Sequence, residues 1–191
     1  MNPALLQIPA AFGLAGATGL NATLPLLIVS LLARLGLIHL APSYDALQSD
    51  VAFYGLIVLA AVEFAIDKVP ALDSVGHAVM LPVAAAAGAI LFASQTGTIT
   101  SMDSGLSVLV SLLAGGAIAG TVHVTRAAVR PVVNLAFLGP PLSLIEDATS
   151  AVLSLAATLA PLLVPFLLVL IALAAMLLWE RRRAVGPRRS Y

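Results

Sequence analysis

Glu63 and Asp67 stand four residues apart in an otherwise apolar stretch, a spacing that returns a side chain to the same face of a helix. Asp73 and His77 repeat that spacing soon afterwards. His123, Arg126, Arg130 and Asn134 then follow in steps of three, four and four. They draw one polar stripe down a helix whose other positions are mostly alanine, valine, leucine and phenylalanine. Lys68 adjoins Asp67, and Glu146 and Asp147 lie in the connection after Gly139-Pro140-Pro141. Carboxylate, imidazole and guanidinium groups in apolar surroundings bind ions, carry protons, hold a charged solute or lock helices together as ion pairs.

Five acids (Glu63, Asp67, Asp73, Glu146, Asp147) face three cations (Lys68, Arg126, Arg130), an excess of two negative charges with neutral histidines. Protonation, a bound cation or open water would relieve such an excess. Glu63, Asp67, Asp73, His77, Glu146 and Asp147 are reasonable metal-ligand types, but no spacing such as H-E-x-x-H accompanies them, so the metal is unknown. Catalytic signatures are missing: there is no nucleophile elbow, phosphate-binding loop or dinucleotide fingerprint in a strand–turn–helix setting. Ser143 and Ser150 lie near Glu146 and Asp147, but an acid and a serine make no triad without a placed histidine. No catalytic residue and no cofactor is assigned, although a bound cation is compatible with the cluster.

The elements that must position these groups are apolar. Hydrophobic residues form 61% of the 191 and charged residues 9%, against about 25% charged in ordinary soluble domains. So few charges cannot cover a water-exposed surface of this size, and most of the surface must face lipid. Net charge is zero, and no basic face on a soluble module invites nucleic acid. There is no cysteine, which removes disulfides, thiolate metal sites and cysteine nucleophiles. The Met-Asn-Pro start lacks the basic stretch of a cleavable signal peptide, and the apolar run behind it reads as a retained membrane segment.

About 20 apolar residues cross a bilayer, and five stretches reach that length. They are about Ala4–Ala33, Val51–Val69, Val75–Ala93, Leu106–Leu138 and Ala151–Trp179. The fold class expected is an all-α integral membrane protein of about five transmembrane helices, in one membrane domain over 1–180 with a basic tail at 181–191. The first segment is too long for an upright helix and carries Gly13, Gly16, Gly19, Asn21 and Pro25; the fourth holds Gly115, Gly116, Gly120 and Pro131. Both are expected to be kinked or broken, and broken helices build binding sites in transporters. The same glycines would equally serve close helix packing. A weak internal likeness links Gly13–Ala33 with Gly115–Leu135.

Arg181, Arg182, Arg183, Arg188 and Arg189 follow the last segment and place the C-terminus in the cytoplasm under the positive-inside rule. With five spans the N-terminus lies outside and Arg34 inside; if the first segment is a re-entrant hairpin, the N-terminus moves inside and the rest is unchanged. Either way, nearly every charge outside the tail gathers in the outer half of the membrane. A stripe holding Arg126 and Arg130 cannot face lipid there, since even lenient scales charge about 2.5–3.5 kcal/mol for a central arginine.

Three blocks set charged and small residues at fixed spacing within the apolar runs. Gly19-Leu20-Asn21-Ala22 precedes Leu24-Pro25-Leu26-Leu27; Glu63-Phe64-Ala65-Ile66-Asp67-Lys68-Val69-Pro70 precedes Asp73-Ser74 and His77; His123, Arg126-Ala127, Arg130-Pro131 and Asn134 precede Gly139-Pro140-Pro141, Ser143 and Glu146-Asp147. Together, over about Ala11 to Leu170, they resemble a family of small bacterial membrane proteins known as domain of unknown function four-one-two-six. Members often carry lysine one turn before the arginine of the third block, where this chain has Arg126, which keeps the charge and alters the hydrogen-bond geometry. The resemblance implies a shared multi-pass fold, makes the polar cluster its functional centre, and implies no substrate.

The leading expectation is a small transporter or permease in the cell membrane, proton- or cation-coupled, with Asn21, Glu63, Asp67, Lys68, Asp73, His77, His123, Arg126, Arg130, Asn134, Glu146 and Asp147 as its site. A non-catalytic scaffold or accessory subunit is the alternative, and a metal-dependent enzyme acting on a lipid headgroup a third. The expected partners are the bilayer, a small ion or solute and, because five helices leave little room for a gated pathway, a second copy in a homodimer.

Overall fold

A computed structural model describes the backbone at 4–96, 103–135 and 139–167, with 169, 170, 173 and 176, and the side chains of the same residues except 4, 70–75, 104 and 132–135. The side chains of Asp73 and Asn134, the end of the fifth expected segment and the arginine tail lie outside the described residues. Regular structure among the described residues is helical throughout: α1 (Ala4–Leu20), α2 (Leu24–Arg34), a 3-10 turn (Pro42–Gln48), α3 (Asp50–Lys68), α4 (Pro70–Thr96), α5 (Ser104–Val110), α6 (Ala117–Leu135) and α7 (Gly139–Leu159). A π-helical stretch, Ser111–Gly116, joins α5 to α6 without a break in the rod.

Among the described residues three helices are long and apolar enough to cross a membrane: Gly76–Thr96, Gly105–Pro131 and Gly139–Leu159. A fourth crossing results if the 3-10 turn and α3, bent by 63°, count as one span. The exterior suits lipid rather than water, with Val58, Leu59, Leu112, Leu113, Ile145 and Val152 all exposed. Five spans are not what the described helices supply. The seventh helix starts at Gly139, not at Ala151, because Pro140 and Pro141 sit in its first turn, where a missing N–H costs nothing. Glu146 and Asp147 therefore belong to a helix and not to a connection.

The first segment departs furthest from a simple span. It stops at Leu20 and restarts at Leu24, giving helices of 17 and 11 residues; the second covers only about 16 Å. α1 runs antiparallel to α7, with Gly13 at Ala157, Gly16 at Leu153 and Ser150 on the Ala17 carbonyl. α2 runs antiparallel to α3, from Thr23 beside Glu63 to Arg34 beside Asp50. Since α3 and α7 are themselves antiparallel, joined by Lys68 bonded to Ser143, α1 and α2 form a hairpin. Both of its outer ends lie at one end of the bundle, with Asp50 and Leu159, and its tip points towards the end that carries Lys68 and Gly139. The likeness between 13–33 and 115–135 does not extend to structure, since the first doubles back and the second is helical throughout.

Local chemistry fixes the hairpin's exit. Gly36 has φ +69°, and its N–H and that of Leu37 bond back to Ala33 and Leu32, the capping pattern that glycine enables at a helix C-terminus. Arg34 then reaches Asp50 at 2.6 Å and the Gln48 carbonyl at 2.8 Å, and lies over Phe53. Asp50 belongs to the first turn of α3, whose N-cap Ser49 accepts from the Ala52 N–H.

α4 and α6 cross at glycine. A Cβ on Gly88 would lie 2.5 Å from the Ala119 Cβ and 2.7 Å from the Gly115 carbonyl, so the backbones touch. Gly88→Ala is expected to push the helices apart and cost about 1–3 kcal/mol, read as a lower unfolding temperature in detergent. Gly55→Ala, with nothing within 4 Å, is the control and should leave it unchanged or slightly higher.

Candidate functional site

The hairpin tip sets the site's centre. Between α1 and α2 the N–H groups of Ala22, of the N-cap Thr23 and of Leu24, the first residue of α2, have no intrahelical partner, and in an apolar interior each must find one. Glu63, on the neighbouring α3, supplies most of them. Its Oε1 accepts from the Ala22 N–H at 2.8 Å, and its Oε2 from the Thr23 N–H at 3.0 Å and the Thr23 hydroxyl at 2.6 Å. Asn21 supplies the rest, its Oδ1 accepting from the N–H groups of Thr23 at 3.2 Å and Leu24 at 2.8 Å. Pro25 follows and needs no acceptor. A carboxylate against a helix N-terminus is also favoured by the helix dipole.

Asn21 carries the network onward: its Nδ2 donates to Asp147 Oδ1 at 3.0 Å. Asp147 Oδ2 accepts from Lys68 Nζ at 2.8 Å, and the same ammonium donates to Ser143 at 2.7 Å and sits 3.7 Å from the Phe64 ring centre. A second group lies alongside. The Arg126 guanidinium spans Asp67 and Glu146, with Nε donating to Glu146 at 2.7 Å, and Arg130 donates to Glu146 and comes within 3.9 Å of Asp67. Glu63, Asp67, Arg126 and Arg130 are all buried, Arg130 at 1% exposure. Asp147 lies eight residues into α7 and Glu63 five short of the end of α3, so the tip sits about 8–12 Å inside the charged end.

Eight of the twelve residues singled out by spacing (Asn21, Glu63, Asp67, Lys68, Arg126, Arg130, Glu146 and Asp147) thus gather in two adjoining groups. His77 and His123 lie beside them, their rings 5.2 Å apart edge to face, with His123 Nε2 donating to the His77 carbonyl at 3.0 Å. A cavity of about 270 Å³ opens between α4 and α6, lined by His77, Leu81, His123, Ala127 and Arg130. The side chains of Asp73 and Asn134 lie outside the described residues. Sequence reasoning passed over Thr23, although Asn21 and Thr23 ahead of Pro25 form a helix-start signature inside an apolar run.

Of the five acids counted in the sequence, Asp73 lies outside the described side chains and the other four separate by partner. Asp67, Glu146 and Asp147 meet Arg126, Arg130 and Lys68, three against three, and Glu63 is held by backbone N–H groups and a hydroxyl. Among the described residues no three histidine, aspartate or glutamate side chains are arranged to hold a metal ion. What the arrangement offers instead is a carboxylate clasping the end of an interrupted helix, next to ion pairs that tie α3, α6 and α7 together. No curated protein matches the chain, and no solved structure matches it. The family model described as "Domain of unknown function (DUF4126)" matches residues 8–181, and the chain belongs to that family.

Proposed function

We propose that the chain is a small transporter or permease of the cell membrane, with its C-terminus in the cytoplasm and the hairpin tip with its charge cluster as the site through which a small ion or solute passes, coupled to a proton or a cation. The observation that carries this reading is the Glu63 clasp on the start of α2. Interrupted helices in transporters present backbone N–H and C=O groups at the membrane interior, and ions and solutes bind there. A re-entrant hairpin is tolerated at that depth only where protein or a water-lined cavity satisfies its backbone. A proton or cation arriving at Glu63 competes with the Ala22 and Thr23 donors, weakens the clasp and frees the tip to move against α3 and α7. Such coupling would link occupancy of the carboxylate to access.

The test is flux into proteoliposomes containing the purified protein, across a pH gradient and with monovalent cations, divalent cations and small anions in turn. Wild type is expected to carry at least one of these, and Glu63→Gln to lower that flux by about tenfold or more, as for an intramembrane carboxylate on the pathway. Silence of the wild type across the whole panel would overturn the proposal.

A second reading draws on a different observation. Three carboxylates matched by three cations is the balance of an interhelical lock, and a scaffold or accessory subunit needs no more than that. The two readings diverge when a matched pair is removed together.

A further inference from the structure

Asp147 opens a line of polar side chains on α7. Ser143, Asp147, Ser150, Ser154 and Thr158 succeed one another in steps of four, three, four and four, one face of the helix, and that face packs on α1. Ser143, Ser150 and Ser154 are completely buried. Each lower hydroxyl donates to a carbonyl: Ser150 to Ala17 at 2.9 Å, Ser154 to Ser150 at 2.7 Å and Thr158 to Ser154 at 2.8 Å. Those bonds use the proton of each hydroxyl and leave its oxygen lone pairs as acceptors. Serine and threonine are not required for packing here, as alanine at 157 and glycine at 13 and 16 fill the same seam.

The line ends in a cavity. At the end of the bundle away from the charge cluster, about 400 Å³ opens between the start of α1, the segment after α2 and the end of α7. Its polar lining is Gln7, His39, Gln95 and Thr158. Gln7 Oε1 is buried there without a hydrogen-bond partner among the described residues, an acceptor that water entering the cavity would satisfy. Between this cavity and Asp147 the seam is shut: a Cβ on Gly13 would meet the Ala157 Cβ at 2.9 Å and Val164 at 3.0 Å.

We propose that the cavity at the start of α1 is the second mouth of the pathway, and that the hydroxyl line on α7 joins it to Asp147 when α1 tilts off the seam, with protons as the species relayed. This inference rests on the transport reading and names the coupling ion. The seam presents no charged side chain between Asp147 and Thr158 on α7, so a dehydrated metal cation would find neither carboxylates nor the six or more oxygens it takes. Water threaded along hydroxyls needs only donors and acceptors in series. The hydroxyls keep their protons on the carbonyls and accept from the threaded water, and each water takes a proton from the Thr158 side as it gives one towards the Asp147 carboxylate, so every water and hydroxyl ends with the proton count it began with.

The chain's lack of cysteine makes the test direct. Ser154→Cys and, as the lipid-facing control on the same helix, Val152→Cys are purified, shown to elute as single species, reconstituted and treated with a small charged methanethiosulfonate. Cysteine at 154 is expected to react at least about tenfold faster than at 152, because the reagent attacks thiolate and thiolate forms only where water reaches. Modified Ser154→Cys should then carry less than about a tenth of the wild-type proton flux, while modified Val152→Cys keeps the wild-type level. Equal, slow labelling at 154 and 152 would overturn the second mouth whatever the flux. Fast labelling at 154 with no proton flux in the wild type would overturn the proton relay and, if every other solute is also silent, the transport reading with it. Fast labelling with flux of another ion would overturn the relay alone.

Discussion

Arg126→Met is expected to destabilise the protein by about 3–5 kcal/mol, the cost of leaving a buried charge without its partner. Arg126 is the hinge of the larger ion-pair group, since its guanidinium reaches both Asp67 from α3 and Glu146 from α7. Without it, Asp67 keeps only the 3.9 Å approach of Arg130, and two carboxylates compete for one guanidinium. The measurement is the unfolding midpoint in detergent, by circular dichroism or by the temperature at which the elution peak collapses. The double variant Arg126→Met/Asp67→Leu removes matched charges and leaves the Arg130–Glu146 pair in place. It should recover most of the lost stability, as apolar replacements of buried pairs commonly do. Function then separates the two readings. A transporter that uses these groups loses flux in the refolded double variant; a scaffold keeps whatever assembly it supports. A double variant no more stable than Arg126→Met would show that the Arg126–Asp67 pair is not a unit of stability.

Glu63→Ala carries the second large effect. The substitution leaves three donors at the hairpin tip, the N–H of Ala22 and the N–H and hydroxyl of Thr23, without the carboxylate that accepts them. Asn21 Oδ1 still accepts from Thr23, at 3.2 Å, so two donors lose their partner outright. At about 1–3 kcal/mol for each buried donor left unsatisfied, the expected loss is about 2–6 kcal/mol. Glu63→Gln keeps one carbonyl acceptor and should lose less than half of that, which is why it is the variant suited to the flux assay. The stability ordering wild type, Glu63→Gln, Glu63→Ala is read by thermal unfolding. Equal stability of wild type and Glu63→Ala would mean that water already satisfies the tip, and would remove the clasp from the proposed mechanism.

Much of the molecule is legible in residue types and spacing. The membrane class follows from composition alone, because a chain with 9% charged residues has too few polar groups to cover a water-exposed surface. The stripe His123, Arg126, Arg130 also follows from spacing: helical period and the cost of an arginine in lipid together force those groups inward onto carboxylates. Family membership is visible in the same charged blocks.

Other features needed the folded chain. Hydropathy is blind to direction, so the apolar run 4–33 reads as one long span whether it crosses or doubles back; only its contacts with α7 and α3 show the hairpin. The start of α7 is hidden because Gly139-Pro140-Pro141 marks a turn and a helix N-terminus equally well, and the residues beyond it decide between them. Glu63 and Asp67 share a helix face, yet one clasps backbone and the other pairs with arginine. Spacing places groups on a face, whereas the partner on the opposite side is set by which helices pack there. Residue types and period were enough to show that this chain hides a cluster of charged groups among apolar helices. That an interrupted hairpin ends in this cluster came from folding, because unsatisfied backbone at its tip must find acceptors on a helix about forty residues away in the chain.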